Sequence, residues 1–170
     1  QIYSDHSWGG VSRSGEGSSQ EAAREYVGCV ETITAKFQVT TVLDLGCGDW
    51  EFSRQVDWGS AHYTGIDVVP DLVASLRARF GGPRVDFIEG NFLDADLPPA
   101  DLVLCKDVLQ HLTNAQVQLA LDRLSSYPLA LLTNDRVFYR RLGWRSLWKK
   151  EKIGVPNEDI APGGWRPLIL

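Results

Sequence analysis

Apolar residues along this chain recur with two periods, and the switching between them sets out the elements. After Ser18-Ser19-Gln20-Glu21, a helix cap with a capping box, Ala22, Tyr26, Val30, Ile33 and Phe37 fall at helical spacing and predict a helix from about 19 to 37. Strands are expected near 41 to 45, 62 to 67, 84 to 88, 101 to 105 and 128 to 133, with helices near 50 to 57, 70 to 79 and 114 to 126 between them. Such alternation predicts an α/β, doubly wound, mostly parallel sheet covered on both faces. Ligands then bind at the carboxyl ends of the strands.

The first strand ends in chemistry. Val42-Leu43-Asp44-Leu45-Gly46-Cys47-Gly48-Asp49-Trp50 is an apolar run that breaks into Gly-x-Gly, and Tyr63-Thr64-Gly65-Ile66-Asp67 ends a second run on a carboxylate. The spacing is about 20 residues, which suits a strand, a tight nucleotide-binding turn and an acid that accepts ribose hydroxyls. A dinucleotide fingerprint needs a third glycine three positions after the second, but Glu51 stands there, and an acid would repel a pyrophosphate.

Asp44-x-Gly46-x-Gly48 with a downstream acid resembles class I S-adenosylmethionine-dependent methyltransferases, and further segments follow in the order that family has. Val85-Asp86-Phe87-Ile88-Glu89-Gly90-Asn91-Phe92 is similar to its third-strand segment, and Ala100 to Leu112 to its fourth strand running into the active-site edge. The resemblance covers about residues 40 to 135. It implies a Rossmann-like fold of strand order 3-2-1-4-5 with an antiparallel edge, of which one candidate strand, around Trp165 to Leu170, is present. Either that edge is incomplete, or the chain is truncated or completed by another subunit. The resemblance also implies S-adenosyl-L-methionine as cofactor, held by Asp44, Gly46, Cys47, Gly48, Asp67 and its neighbour Val68, with Asn91 at the adenine amine and Phe92 against its face. Lys106 either joins that site or is a solvated strand-end charge. The family often has a glycine where Trp50 stands; Trp50 either narrows the pocket or packs under the next helix. More narrowly, Gly46 to Trp50, Asp107 to Leu112 and Asn157 to Arg166 look like a little-studied group of bacterial-type methyltransferases.

Methyl transfer to a hydroxyl needs a base, and Asp107 and His111 are the candidates. Four residues apart, they share a side if a helical turn begins after the fourth strand, which would put a carboxylate beside an imidazole at the acceptor's edge. Alternatively, His111 caps or packs against the next helix and Asp107 binds backbone amides. No cluster of His, Cys and carboxylates has structural-zinc spacing, so no metal is expected.

Composition adds bounds. A chain of 170 residues with 44% apolar content can bury one substantial core, and no stretch is long or apolar enough to span a membrane. Cys29, Cys47 and Cys105 form no paired or metal-ligand spacing, which suits a reducing, cytoplasmic compartment, and buried packing is the favoured reading of Cys47 and Cys105. The start, Gln1 to His6, has no secretory pattern and no initiating Met, so some N-terminal residues are expected to be missing.

Two segments depart from the regular alternation. Residues 1–18, glycine-rich and polar from Trp8, are expected to form an arm or a lid, with Arg13 reaching the methionine carboxylate, ahead of a methyltransferase domain over 19–170. Residues 136–152 carry seven cations and one acid among aromatics, inside a chain of net −5. They read as an amphipathic helix packed on the body or a partner, or as a surface for phosphates and bases. The first choice of acceptor is a small hydroxylated metabolite or sugar, since no base-flipping Asn-Pro-Pro-Tyr follows the fourth strand. RNA is the second, and a non-catalytic cofactor-binding module acting through a partner the third; a homo-oligomer is compatible with each.

Overall fold

A computed structural model describes residues 20–134, 139–141, 150–152 and 156–170. The expected arm 1–18 with Arg13 lies outside them, as do residues 136–138 and 142–149 of the basic segment. Helix α1 (Gln20–Phe37) is followed by β1 (Thr41–Leu45), β2 (His62–Asp67), α2 (Pro70–Phe80), β3 (Val85–Glu89), β4 (Leu102–Lys106), α3 (Asn114–Leu124) and β5 (Leu129–Thr133). The strands form one sheet in the order β3-β2-β1-β4-β5, every neighbouring pair parallel, as the Rossmann-like expectation requires.

Side-chain alternation along the strands builds two cores, one on each face. Val42, Tyr63, Phe87, Leu102 and Leu104 face a cluster with Tyr26 and Val30 of α1 and Val73 and Leu76 of α2. Leu43, Leu45, Ile66, Val103 and Cys105 face the other, with Val117, Ala120 and Leu124 of α3 and with Leu168. Phe37, expected on the apolar face of α1, is half-exposed at the helix end, where the Lys36 ammonium lies 5.4 Å from its ring centroid. Helix α2 starts on Pro70, whose fixed φ suits the first helical turn. Thr113 and Gln116 form a reciprocal capping box at the start of α3.

At the amino ends of the strands, one Asp101 carboxylate oxygen accepts the Thr40 amide at 2.8 Å, the Thr40 hydroxyl at 2.7 Å and the Thr41 amide at 3.0 Å. The Asp101 amide donates back to the Thr41 hydroxyl at 2.9 Å, so β1 and β4 are clamped together at the end away from the glycine turn.

Three expectations are corrected. The helix near 50 to 57 is a single 3-10 turn, Ser53–Gln55. Trp50 in the left-handed region (φ 62°) ends helical propagation on one side and extended Val56 on the other, while the Ser53 hydroxyl bonds Asp44 and the Trp58 indole takes the Ser53 carbonyl. The segment Trp165–Leu170 is not a strand: it is held by its own contacts to Asn157 and to the turn after β4, so the five-stranded sheet has no antiparallel edge among the described residues. The described parts of the basic segment are not helical either. Tyr139–Arg141 (β6) and Lys150–Lys152 (β7) pair antiparallel as a separate two-stranded ribbon, Arg140 opposite Glu151.

Candidate active site

Backbone torsion builds the turn after β1. Gly46 (φ 69°) and Gly48 (φ 55°) sit in the left-handed region, and a Cβ on Gly46 would lie 2.5 Å from Val108 Cγ2. The Gly46 and Cys47 amides donate to the Ile66 carbonyl at 2.8 and 3.1 Å, which locks the turn against β2. Asp67 closes the other side: its carboxylate accepts the Gly48 amide at 3.1 Å and the Val69 amide at 3.0 Å. Two amides leave acceptor capacity on a carboxylate, which is what two ribose hydroxyls require. Burial, outweighing the amide bonds, raises the Asp67 pKa. Val68, next to it, is 59% exposed and offers an apolar face at the strand end.

Asp44 is used internally. Its Oδ2 accepts the Ser53 hydroxyl and the Tyr63 hydroxyl, each at 2.6 Å. Burial raises its pKa, and the field of Asp67 adds to this, while the hydroxyls and Lys106 act the other way. Trp50 takes a left-handed backbone (φ 62°) and turns its ring inward, 5.3 Å from the Phe87 ring, 5.0 Å from Phe80 and 5.6 Å from Tyr63. It packs in the core. Cys47 is half-buried with its sulfur against Gly65, and burial lifts its thiol, like that of Cys105, far above the range where a thiolate forms.

After β3, the Asn91 side chain is exposed and accepts the Leu93 amide at 3.1 Å, while Phe92 is buried in the second core. At the end of β4, Lys106 pairs with Asp107 and lies 4.1 Å from the Phe52 ring centroid, so it is not a solvated charge. Asp107 has φ 57° and donates its amide to the Thr133 carbonyl; the turn that follows, Leu109–His111, is 3-10. The left-handed residue breaks the helical spacing expected between Asp107 and His111. The His111 Nδ1 instead lies 2.9 Å from the Gly164 carbonyl oxygen. A carbonyl only accepts, so Nδ1 carries the proton and the neutral ring has its lone pair on Nε2. Burial lowers the His111 pKa, and Arg166 adds to this; the Gly164 bond and the Asp107 charge oppose it.

The strap from Gly163 to Arg166 was not legible as site structure. Its glycines and its arginine carry no periodic signal, and Tyr63 and Ser53 likewise give no sign that their hydroxyls converge on Asp44. Among the described residues no group of three His, Cys, Asp or Glu side chains is placed to hold a metal ion. No helix among them is long and apolar enough to cross a membrane.

The donor set fits a cationic nucleoside. Asp44, Asp49 and Asp67 act together on the Cys47 thiol, so negative charge gathers at the glycine turn. A sulfonium with an ammonium group is attracted there and a pyrophosphate repelled. Fold and site thus define a class I S-adenosylmethionine-dependent methyltransferase. The profile of the methyltransferase-domain family matches residues 42–127, and the chain belongs to that family. It is 38% identical over 76 residues to a ubiquinone biosynthesis O-methyltransferase from Xylella fastidiosa (strain M23), a match covering 41% of this chain and 30% of that protein. It is 32% identical over 102 residues to an acetylserotonin O-methyltransferase from Mus musculus molossinus, covering 51% of this chain and 26% of the other. The match therefore spans only 26–30% of the length of these curated relatives. The N-methyltransferase NodS from Bradyrhizobium japonicum WM9, solved with S-adenosyl-L-homocysteine, shares the fold at a TM-score of 0.52 and 19% identity, covering 61% of this chain and 54% of that one.

Proposed function

We propose that this protein transfers the methyl group of S-adenosylmethionine to a hydroxyl of a small metabolite or sugar, with His111 as the general base. The observation that carries this reading is the 2.9 Å contact between His111 Nδ1 and the Gly164 carbonyl, which leaves Nε2 as the basic nitrogen at the carboxyl end of β4. Bound cofactor supplies a sulfonium methyl. Asp67 orients the adenosine through its ribose, with Val68 and Asn91 at the base. Asp107, paired with Lys106, shapes the electrostatics around His111 and favours its protonated form once the acceptor proton has moved. In-line displacement asks only that the acceptor oxygen be held about 3 Å from the methyl and lose its proton as the bond forms. Support for a small acceptor comes from the relatives named for ubiquinone biosynthesis and acetylserotonin, both O-methyltransferases.

The test is a methyl-transfer screen with isotopically labelled cofactor against hydroxylated small molecules and structured RNA. Labelled small-molecule ethers support the reading, and label confined to RNA overturns it. RNA is kept as the second reading because β6 and β7 set Arg140, Arg141, Lys150 and Lys152 on one ribbon. If the wild type binds RNA with a steep salt dependence that Arg140→Gln, Arg141→Gln, Lys149→Gln and Lys150→Gln together abolish, the small-molecule reading is wrong.

A further inference from the structure

Arg166 is 1% exposed, the most secluded charged side chain among the described residues. Its guanidinium donates to the Leu112 carbonyl at 2.7 Å, the Gln110 carbonyl at 3.4 Å and Asn114 Oδ1 at 2.8 Å. No carboxylate among the described residues lies within salt-bridge distance of it. Packing alone does not call for such a residue, since an apolar side chain would fill the space without desolvating a charge. What the guanidinium does is reach both sides of His111 at once. Around the same residue the strap adds three backbone contacts: the Arg166 amide to the Gln110 carbonyl at 3.2 Å, the Gly163 amide to the His111 carbonyl at 3.3 Å, and Gly164 to the imidazole. Asp159, four residues before Gly163, accepts the Asn114 amide at 2.7 Å and fastens the strap's base to the start of α3.

We propose that Arg166 is a positioning residue for His111: its buried guanidinium ties the strap Gly163–Arg166 to the turn Leu109–His111, so that the Gly164 carbonyl holds the imidazole in its Nδ1-protonated form. The proposal deepens the reading of His111 as base and rests on it for its catalytic consequence. The fork geometry matters because two guanidinium nitrogens bind three oxygens contributed by residues on either side of the imidazole. The charges that act on the ring come from Asp107 at the end of β4, which favours its protonation, and from Arg166 on the strap, which disfavours it. Asp159 in turn acts on Arg166. The strap thus supplies the partner that selects the tautomer and a charge that adds to burial in disfavouring the protonated ring.

The experiment is a nitrogen-15 titration of His111 in the full chain, assigned by loss of its signals in His111→Asn, for wild type, Arg166→Gln and Arg166→Lys, with turnover measured alongside. Wild type is expected to hold the Nδ1-protonated neutral ring and to titrate below the ordinary 6.5. Arg166→Gln should raise the midpoint, mix the tautomers and lower kcat about 10- to 100-fold with KM for the cofactor unchanged. Arg166→Lys, which keeps the charge and loses the fork, should titrate near wild type with mixed tautomers and intermediate turnover. An Nε2-protonated ring in wild type overturns the proposal, and this result needs no variant to fold. Wild-type tautomer and midpoint in a folded variant overturn it too. The titration needs no acceptor, so full activity in His111→Asn with the expected titration would sink the base reading and leave the positioning intact.

Discussion

The Tyr63 hydroxyl donates to Asp44 Oδ2 at 2.6 Å across the β1–β2 pair, with both side chains almost wholly withdrawn from solvent. The bond joins a strand-end acid to the aromatic cluster beneath it, and Ser53 shares the same oxygen. Tyr63→Phe removes a donor to a buried carboxyl without changing the ring, so the protein should lose about 1 to 3 kcal/mol of stability. Urea denaturation of both forms measures this. An unchanged midpoint would mean that the bond makes no net contribution.

At Asp67 the expected loss is in binding. Asp67→Ala removes the proposed ribose acceptor and the partner of two turn amides, and S-adenosylhomocysteine affinity should weaken by about 1.5 to 3 kcal/mol per charge-assisted bond lost. Asp67→Asn keeps one acceptor oxygen and should lose less. Calorimetry gives both values; equal affinities for all three proteins, or a wild type that prefers NAD, would remove Asp67 from the site.

Because burial lowers the His111 pKa from its ordinary 6.5, turnover should hold to a more acidic pH than an unperturbed imidazole allows and then fall as the ring charges. The stability sign follows from linkage. The unfolded chain takes the proton more readily, so the contribution of neutral His111 is fully present above 6.5 and is lost as pH falls through the lower folded value. His111→Asn should cut turnover about 10²- to 10⁴-fold while leaving cofactor affinity nearly intact. Single-turnover rates and melting temperatures on one preparation check this, and loss of stability with activity preserved would assign His111 to packing.

Trp50 sets two effects against each other. A bulky residue at φ 62° carries strain of about 1 to 3 kcal/mol, whereas truncating a large buried aromatic costs about 3 to 5 kcal/mol. Packing is the larger, so Trp50→Gly should be less stable than wild type despite its easier backbone. A Trp50→Gly variant of higher denaturation midpoint would reverse that ranking.

The sheet was legible because strands buried on both faces write themselves as short apolar runs, and the glycine turn because Gly46 and Gly48 occupy torsions that few other residues accept. The short helix after Trp50 was misread: its pattern is helical, but Ser53 and Trp58 spend their hydrogen bonds on Asp44 and on a turn carbonyl. Asp107 and His111 were found by type and spacing, yet the spacing argument assumed a helical turn that the left-handed Asp107 prevents. The partner of His111 Nδ1 is a backbone carbonyl 53 positions away, and a carbonyl has no letter in the sequence.

The Asp101 clamp gives the protein a graded response to acid. Its carboxyl is drawn down to about 2, chiefly by the Thr40 hydroxyl, so its contribution persists below the ordinary 3.8 and disappears only as pH falls through about 2. Asp44 and Asp67, at the opposite pole, are displaced upward by burial and take up protons earlier in the same descent. The carboxyl-end pole is therefore discharged while the Asp101 clamp at the far pole still fastens β1 to β4. Loss of cofactor affinity is accordingly expected at a higher pH than loss of the Asp101 clamp, which cofactor titration and a fold-sensitive signal recorded over the same pH series would check.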